Sequence, residues 1–208
     1  MFKHKVAVLS IVSAVLLLAA AAFGGIVDPC ESTISSSAGP NTCVLVCPAG
    51  DGDQLQDKGA TISITVNDDT ATGIEGILAT DFYVIDCDPV NDMVLCGGSA
   101  SSNANAATDA NGDTQMTGDI AAGGCATGLA VVVQGFVIGC PTICMSNIEI
   151  KSPDINGDLL VSILDFSLFG AQYPPNPFTD PCVDYNCDGV INLQDFSLFG
   201  LHYGHVCA

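Results

Sequence analysis

The 208-residue sequence contains no tryptophan and no arginine, and its four lysines stand against 23 acidic residues. Nucleic-acid binding depends on lysine and arginine side chains that neutralise phosphates, so this charge balance excludes it as a main activity. Carbohydrate binding by the β-like region is a further option, but the signature we would expect is lacking, because there is no tryptophan and only Tyr83 and a few phenylalanines lie there.

Catalytic motifs are missing as well. Apart from His4, the histidines are His202 and His205, which lack the glutamate of a zinc-protease motif and are interpreted as surface residues beyond the last helix. A zinc site at Cys140 and Cys144 is a weak alternative, because no matched second pair follows. No G-x-S-x-G, phosphate-binding loop or cysteine with a plausible base is present. The sequence predicts a protein that is not an enzyme, although its many aspartates leave a glycosidase-type carboxylate pair open.

The first 22 residues have the pattern of a secretory signal peptide. Lys3 and Lys5 precede an apolar run from Val6 to Ala22, and small residues stand before the expected cleavage near Ala22-Phe23. A retained membrane anchor is the alternative, but about seventeen apolar residues lie at the lower limit for a span. We therefore expect a secreted, extracellular or cell-surface protein with no membrane span after cleavage.

All eleven cysteines lie after this segment. In a secreted chain they indicate disulfides, five pairs with one thiol left over. The connectivity does not follow from sequence. Proximity favours a pair between Cys87 and Cys96, and a pair between Cys182 and Cys207 would tie the second half of the C-terminal repeat to the chain end.

Residues 43–150 show β periodicity. Apolar and polar residues alternate clearly in 60–66. Further apolar runs, separated by glycine and Asx turn residues, lie at 82–85, 129–133, 136–138 and 148–150. Short strands with such turns are typical of a β-sandwich, which we predict for 43–150.

A thirty-residue repeat near the C-terminus carries the clearest chemistry. Each copy places oxygen-bearing side chains at positions 1, 3, 5, 9 and 12 of a twelve-residue loop. These side chains are Asp154, Asn156, Asp158, Ser162 and Asp165 in the first copy and Asp184, Asn186, Asp188, Asn192 and Asp195 in the second. Such a loop wraps a Ca²⁺ ion and adds the backbone carbonyl of position 7, here Leu160 and Val190. The sequence therefore predicts two calcium sites.

Each loop leads into a predicted helix. Aromatic residues recur at i, i+3 and i+7 along both segments, as on one face of an amphipathic helix. They are Phe166, Phe169 and Tyr173 in the first copy and Phe196, Phe199 and Tyr203 in the second. We interpret them as core residues and expect the two aromatic faces to meet.

Position 6 of the loop distinguishes the two copies. The sharp turn there normally needs a glycine, which the second copy supplies as Gly189, whereas the first copy has Leu159. A branched residue with positive φ costs about 1–2 kcal/mol, unless the turn shifts toward Gly157. We predict that the first loop binds calcium more weakly than the second.

The segment 153–204 resembles the type I dockerin family, whose members carry two tandem calcium loops, each followed by a helix. The resemblance implies a small helical module that binds a cohesin and is often attached to polysaccharide-degrading enzymes. At positions 10 and 11, which help to choose the cohesin, the chain has Ile163-Leu164 and Leu193-Gln194 where dockerins often have small hydroxyl residues. An apolar surface there also fits docking onto the chain's own sandwich.

The segments 64–68, 74–77 and 108–114 are similar to bacterial immunoglobulin-like domains of surface proteins. The expected fold class is therefore mainly β, with an immunoglobulin-like β-sandwich followed by a small α-helical dockerin-like module with two EF-hand-type calcium loops. The expected organisation is a signal peptide at 1–22, an N-terminal segment at 23–42, the sandwich at 43–150 and the calcium module at 153–204.

Two classes of function follow from these features. The first is a secreted, non-catalytic calcium-binding adaptor that attaches to a cohesin-like or other surface protein, in a system of polysaccharide degradation if the resemblance extends that far. The second is a calcium-stabilised structural subunit of a surface layer or extracellular filament. Calcium-dependent self-association would distinguish the second class from the first.

Overall fold

A computed structural model describes residues 25–87, 93–97, 102–174 and 180–207 of the chain. The predicted signal peptide at 1–22 lies outside these residues. The described residues form ten short strands and two helices of ten residues each. None of the helices in these ranges has the length and apolar character needed to cross a membrane.

Short strands make up most of the regular structure. They are β1 (Thr33–Ser36), β2 (Thr42–Leu45), β3 (Ile62–Thr65), β4 (Phe82–Asp86), β5 (Val94–Leu95), β6 (Asp113–Met116), β7 (Ala122–Gly123), β8 (Leu129–Val133), β9 (Phe136–Val137) and β10 (Ile148–Lys151). The helices are α1 (Ile163–Gln172) and α2 (Leu193–His202), and short 3-10 turns lie at Ala79–Asp81 and Pro181–Val183. Each of the five predicted β runs contains a strand, in keeping with its β-branched and aromatic residues.

The strands form four small sheets. β1, β3 and β6 make one antiparallel sheet, and β4, β8 and β9 make another. β5 pairs with β7 in antiparallel orientation, whereas β2 and β10 pair in parallel. Because side chains alternate along β3, Ile62 and Ile64 are buried while Ser63 and Thr65 are partly exposed.

One apolar core joins these sheets. It includes Ile62, Phe82, Val131 and Ile150, which are all inaccessible to solvent. All five side chains of β8 are buried, which is the pattern of a strand covered on both faces. Val27 also belongs to this core, so the segment that precedes the β region packs with it.

A second core joins the helices to the β region. Phe169 of α1 and Phe199 of α2 pack with their ring centroids 5.7 Å apart, and Phe169 also stacks on Tyr185 at 5.9 Å. Leu45 and Cys47, at and just beyond the end of β2, belong to the same cluster. The prediction that the two aromatic faces meet is confirmed.

The interpretation of all the helical aromatics as core residues is only partly right. Phe169 and Phe199 are 1% and 2% exposed, but Phe166, Phe196 and Tyr203 are 40%, 42% and 52% exposed. Two short helices bury only the residues that face the β region, and the rest of the aromatic stripe stays on the surface.

The predicted fold class is wrong. In the described residues the strands form four small sheets rather than the two facing sheets of an immunoglobulin-like sandwich. The C-terminal repeat does not form a separate α-helical module with an EF-hand pair, because its two ten-residue helices share their core with Leu45 and Cys47 of the β region. Two ten-residue helices enclose too little apolar area for a core of their own, so they pack against the end of β2.

Five disulfides hold the described chain together. They are Cys30–Cys140, Cys43–Cys187, Cys87–Cys144, Cys96–Cys207 and Cys125–Cys182. Cys47 is free and buried, so the prediction of five pairs and one thiol is confirmed. The suggested pair of Cys87 with Cys96 is wrong, because β4 and β5, which precede these cysteines, belong to different sheets. The suggested pair of Cys182 with Cys207 is also wrong, since these cysteines bond to Cys125 and Cys96 of the β region.

We expect the two phenylalanines of α1 to differ sharply in their contribution to stability. Phe169→Ala should lower the free energy of unfolding by about 3–5 kcal/mol, because it removes a buried ring from the second core. Phe166→Ala is the matched control on the same helix and should cost about 1 kcal/mol or less, since its ring is 40% exposed. Urea unfolding of the oxidised chain measures both, and equal costs would contradict the packing described here.

Candidate metal centre

The predicted ligands lie in two loops that run into the helices. The first loop, 154–165, follows β10 after a short junction, and the second, 184–195, follows the 3-10 turn Pro181–Val183. The last ligand of each loop, Asp165 or Asp195, lies in the first turn of the helix. All twelve predicted ligand positions are therefore in the described part of the chain.

Asp154 organises the first loop. Its Oδ1 accepts the N–H of Asp158 at 3.2 Å, and its Oδ2 accepts the N–H of Leu159 at 2.8 Å. Asn156 Oδ1 also accepts the N–H of Asp158, at 3.0 Å, and Asp158 Oδ1 accepts the N–H of Leu160 at 3.0 Å. These bonds curl the chain, so that the side chains at positions 1, 3 and 5 point inward.

The second loop has the same hydrogen bonds at the same positions. Asp184 accepts the N–H groups of Asp188 and Gly189 at 3.2 and 2.8 Å. Asn186 Oδ1 accepts the N–H of Asp188 at 3.1 Å, and Asp188 Oδ1 accepts the N–H of Val190 at 2.9 Å. The repeat in sequence is therefore a repeat in local structure.

The aspartate at position 12 of each loop also caps the helix that follows. Asp165 Oδ2 accepts the N–H of Ser162 at 2.8 Å, while the Ser162 hydroxyl oxygen accepts the N–H of Leu164 at 3.1 Å. Asn192 and Asp195 form the same capping box on α2. Because this box fixes the helix start, each helix also fixes the carboxylate at the end of its loop.

The carboxylates at positions 1 and 12 are buried. Asp154, Asp165 and Asp195 are 0% exposed and Asp184 is 5% exposed. Burial raises the pKa of Asp154 to about 6, with smaller contributions from the nearby carboxylates of Asp165 and Asp158. Burial also raises the pKa of Asp195. A bound cation is the ordinary compensation for buried acids of this kind.

The two loops differ in how tightly they gather their carboxylates. In the first loop, one oxygen from each of Asp154, Asp158 and Asp165 lies within 4.8 Å of the others. Among the described residues, the three aspartates of the second loop do not form an equally close group. The first loop is the more contracted of the two.

Position 6 has the left-handed conformation in both loops. The φ angles are 66° at Leu159 and 83° at Gly189, and position 4 is also positive in both, with 68° at Gly157 and 54° at Cys187. The turn does not shift toward Gly157 to spare Leu159. At position 6, the first loop therefore contains a strained leucine where the second has an unstrained glycine, whereas at position 4 the strained residue is Cys187 of the second loop.

The first loop is seated directly on the β region. Gly124 donates its N–H to the carbonyl oxygen of Asp154 at 2.7 Å. A Cβ atom at Gly123 would overlap the Asp154 carboxylate, so the backbone of β7 approaches the first ligand as closely as a glycine permits. This contact accounts for the complete burial of Asp154.

An apolar surface lies beside the loops. We call it the helix face, and it comprises Ile163, Phe166, Leu193 and Phe196, which are 59%, 40%, 69% and 42% exposed. The rings of Phe166 and Phe196 lie 6.3 Å apart in an edge contact. On either side of them are depressions of about 410 Å³ and about 290 Å³. Ile163 and Leu193 hold the same loop position in the two repeats, and each borders one of the depressions.

Residues His202 and His205 are not the simple surface residues that the sequence suggested. His202 is 8% exposed, and both imidazoles lie close to Cys47 and Asp51. Sequence analysis missed this group because its two halves are separated by more than 150 residues. Two sequence features could have indicated this group: the odd number of cysteines, which leaves one unpaired, and the His-x-x-His spacing of His202 and His205.

No protein-family model matches the chain, and no curated protein matches it either. Among solved structures, the Lin-41 filamin domain aligns with 61% of this chain and 97% of its own, at 14% sequence identity and a TM-score of 0.29. A similarity this low carries no argument about fold or function.

We expect the contribution of Asp154 to stability to change sign with calcium. In chelator, the folded chain has an Asp154 pKa of about 6, above its ordinary 3.8, and so binds more protons between these values than the unfolded chain does. Lowering the pH from about 7 to about 4 should then raise the free energy of unfolding by on the order of 2 kcal/mol. With calcium present, protonation removes a ligand and should lower it.

The difference between the native chain and Asp154→Asn isolates this contribution from other titrating groups. Urea unfolding at both pH values, with calcium and with chelator, measures it. A contribution of the same sign in both conditions would contradict the role assigned to this carboxylate.

The strain at position 6 gives a reciprocal pair of substitutions. Leu159→Gly should raise the free energy of unfolding by about 0.5–1 kcal/mol, because it removes a positive φ from a branched residue. Gly189→Leu should lower it, since a Cβ there meets no atom within 4 Å and only the backbone conformation is affected. Calorimetry with calcium should find the first site weaker than the second in the native chain and the difference reduced in Leu159→Gly. Two equal sites, or a weaker second site, would refute this order.

Proposed function

We propose that the chain is a secreted, non-catalytic protein that binds Ca²⁺ at its two loops and uses the helix face to attach to a partner in a cohesin-bearing or cell-surface assembly. The single observation that supports this most is the shared hydrogen-bond pattern of the two loops around buried aspartates at positions 1 and 12.

The donor set of both loops suits calcium. Each loop offers three carboxylates, further side-chain oxygens at positions 3 and 9, and a carbonyl at position 7, all of which are hard oxygen ligands. One Ca²⁺ ion changes the local charge of a loop from about −3 to about −1 and so relieves the repulsion between its carboxylates. At one hundred times its dissociation constant, each ion stabilises the folded state by about 2.7 kcal/mol.

Calcium binding and the helix face are coupled through the helix starts. Ile163 and Leu193 are the first residues of α1 and α2, directly after Ser162 and Asn192 at position 9 of each loop. An ion that fixes the loop therefore fixes the direction of the helix and the spacing of the exposed apolar side chains. A partner that recognises both helices at once would bind the calcium-loaded chain in preference to the stripped one.

The disulfides support an extracellular location. Five pairs in a chain of this size persist in oxidising compartments and are rare in the cytosol. Three of them join the β region to the C-terminal part of the chain, so the two loops are covalently cross-linked to the β region. The predicted signal peptide agrees with export.

A structural building block is the second candidate. The exposure of Leu193 and Tyr203, at 69% and 52%, favours it, because an apolar face on a rigid body also serves contact between copies of one chain. A link to polysaccharide degradation depends on the dockerin resemblance alone.

The two candidates predict different behaviour of the full oxidised chain. For the adaptor, we expect a monomer in size-exclusion chromatography with light scattering, both with calcium and with chelator. We also expect calcium-dependent binding to immobilised type I cohesin modules. The variant Ile163→Ser with Leu193→Ser should weaken that binding at least about tenfold, because it removes apolar anchors from the centre of the face.

Leu78→Ser is the matched control, since Leu78 is 60% exposed but lies in the β region. A calcium-dependent multimer that dissociates in the double variant would favour the building block. Folding and association that are both indifferent to chelator would refute both candidates.

A further inference from the structure

Four metal-ligating side chains meet outside the calcium loops. Cys47 and Asp51 follow β2, while His202 ends α2 and His205 lies just beyond it. One ligand atom from each of the four lies within 4.8 Å of all the others. The cluster shares no residue with the calcium loops.

Tight turns bring Cys47 close to Asp51 and His202 close to His205. Gly50 donates its N–H to the carbonyl oxygen of Cys47 at 2.9 Å, which brings Asp51 back over the thiol. His205 donates its N–H to the carbonyl oxygen of His202 at 3.0 Å, and the two imidazole rings lie 5.3 Å apart, nearly perpendicular. The backbone therefore holds the four side chains close together before any ligand arrives.

The separations between these atoms have the size expected around a tetrahedral metal. Cys47 Sγ lies 3.4 Å from His205 Nδ1, and the same nitrogen lies 3.2 Å from the Asp51 carboxylate. His202 Nδ1 lies 3.5 Å from Asp51 Oδ1. Zinc bonds of about 2.0–2.3 Å place neighbouring ligand atoms roughly 3.3–3.6 Å apart in a tetrahedron.

Two of the four groups are buried, and one of them has an unsatisfied nitrogen. Cys47 is 0% exposed and is the one cysteine that the five disulfides leave free. His202 is 8% exposed, and its Nδ1 has no hydrogen-bond partner in the described chain. Buried polar atoms are nearly always satisfied, so an unsatisfied imidazole nitrogen that lies 3.5 Å from the Asp51 carboxylate, in a group of four ligand-type side chains, is suited to a metal ion.

A cysteine nucleophile does not explain this geometry. In such a site the imidazole contacts the thiol through one nitrogen and its orienting carboxylate through the other. Here Nδ1 of His205 lies beside both Cys47 and Asp51. Cys47 is also fully buried, so no substrate would reach its sulfur. The four ligand atoms therefore lie around one point, whereas a catalytic cysteine needs a chain of hydrogen bonds from the thiol through the imidazole to the carboxylate.

We propose that Cys47, Asp51, His202 and His205 form a four-coordinate site for Zn²⁺ or another divalent cation that prefers sulfur and nitrogen ligands. A thiolate, a carboxylate and two neutral imidazoles balance the charge of such an ion, which suits a mostly buried place. Sulfur and imidazole donors disfavour calcium and magnesium, so this site and the loops select different metals.

A metal ion at this site would cross-link the C-terminal tail to the segment that follows β2. Cys207, two residues beyond His205, is bonded to Cys96, so the tail is anchored on one side by a disulfide. Cys47 belongs to the second core, together with Phe169 and Phe199. The ion would therefore lie at the edge of the core against which both helices pack, and would hold the tail there. Because all four coordination positions come from protein, the site is structural and leaves no position for a substrate.

Cobalt substitution tests the proposal in the full oxidised chain. The chain is stripped with chelator, returned to excess calcium so that the loops are occupied, and titrated with Co²⁺. We expect one equivalent to produce thiolate-to-cobalt charge-transfer absorption with intense tetrahedral d–d bands, and one equivalent of Zn²⁺ to abolish both. Co²⁺ in the oxygen-rich loops, which surround an ion with six or more ligands, would give neither feature.

Three variants test three of the four ligands. Cys47→Ser should abolish the charge-transfer band, and calorimetry of its calcium loops shows whether the chain still folds. Asp51→Asn and His205→Gln alter more exposed ligands and should each weaken cobalt and zinc binding at least about tenfold. Asp57→Asn changes a nearby exposed aspartate outside the cluster and should bind as the native chain does.

The proposal fails if the native chain, with its free thiol verified by mass, shows no charge-transfer band. It also fails if the band persists in Cys47→Ser, or if Asp51→Asn and His205→Gln both bind as tightly as Asp57→Asn.

Discussion

The burial of acidic side chains without basic partners is the constraint on which this structure depends. Asp154, Asp165 and Asp195 are fully buried, while the two described lysines pair elsewhere, Lys58 with Asp53 and Lys151 with Glu149. Backbone N–H groups satisfy the carboxylate oxygens but do not neutralise their charge. The few lysines of a chain with 23 acidic residues do not reach these carboxylates in the described structure, and the calcium ions that we propose would supply the compensating charge.

The same constraint explains why the C-terminal repeat is not an independent unit. A loop that converges on buried carboxylates needs a surrounding structure that excludes water, and two ten-residue helices supply too little of it. β2 provides Leu45 and Cys47 to the helical core, and Gly123 allows the β region to reach Asp154. The disulfides Cys43–Cys187, Cys96–Cys207 and Cys125–Cys182 then connect the two parts covalently.

Local features were predictable from the sequence, and long-range ones were not. The loop turns at Asp154 and Asp184, the helix starts and the β runs follow from patterns within about a dozen residues, which is the range over which capping and alternation act. The arrangement of strands into four sheets, the disulfide pairing and the burial of His202 depend on contacts between distant segments. The exposed half of the aromatic stripe, for example Phe166, was misjudged because periodicity shows which residues share a helix face but not whether a second layer covers them.

The two loops are equivalent in sequence pattern but not in surroundings. The first is strained at Leu159, has the more closely gathered carboxylates and receives a hydrogen bond from Gly124 through the carbonyl of its first ligand. The second has an unstrained Gly189 at that position but a positive φ at Cys187, and the Cys43–Cys187 bond joins it to the β region. If the loops bind calcium as we propose, an ion in the first would bear directly on the contact with β7, and an ion in the second would bear mainly on α2. Under this proposal, the first metal position would hold the repeat to the β region, and the second would fix the surface that α2 presents.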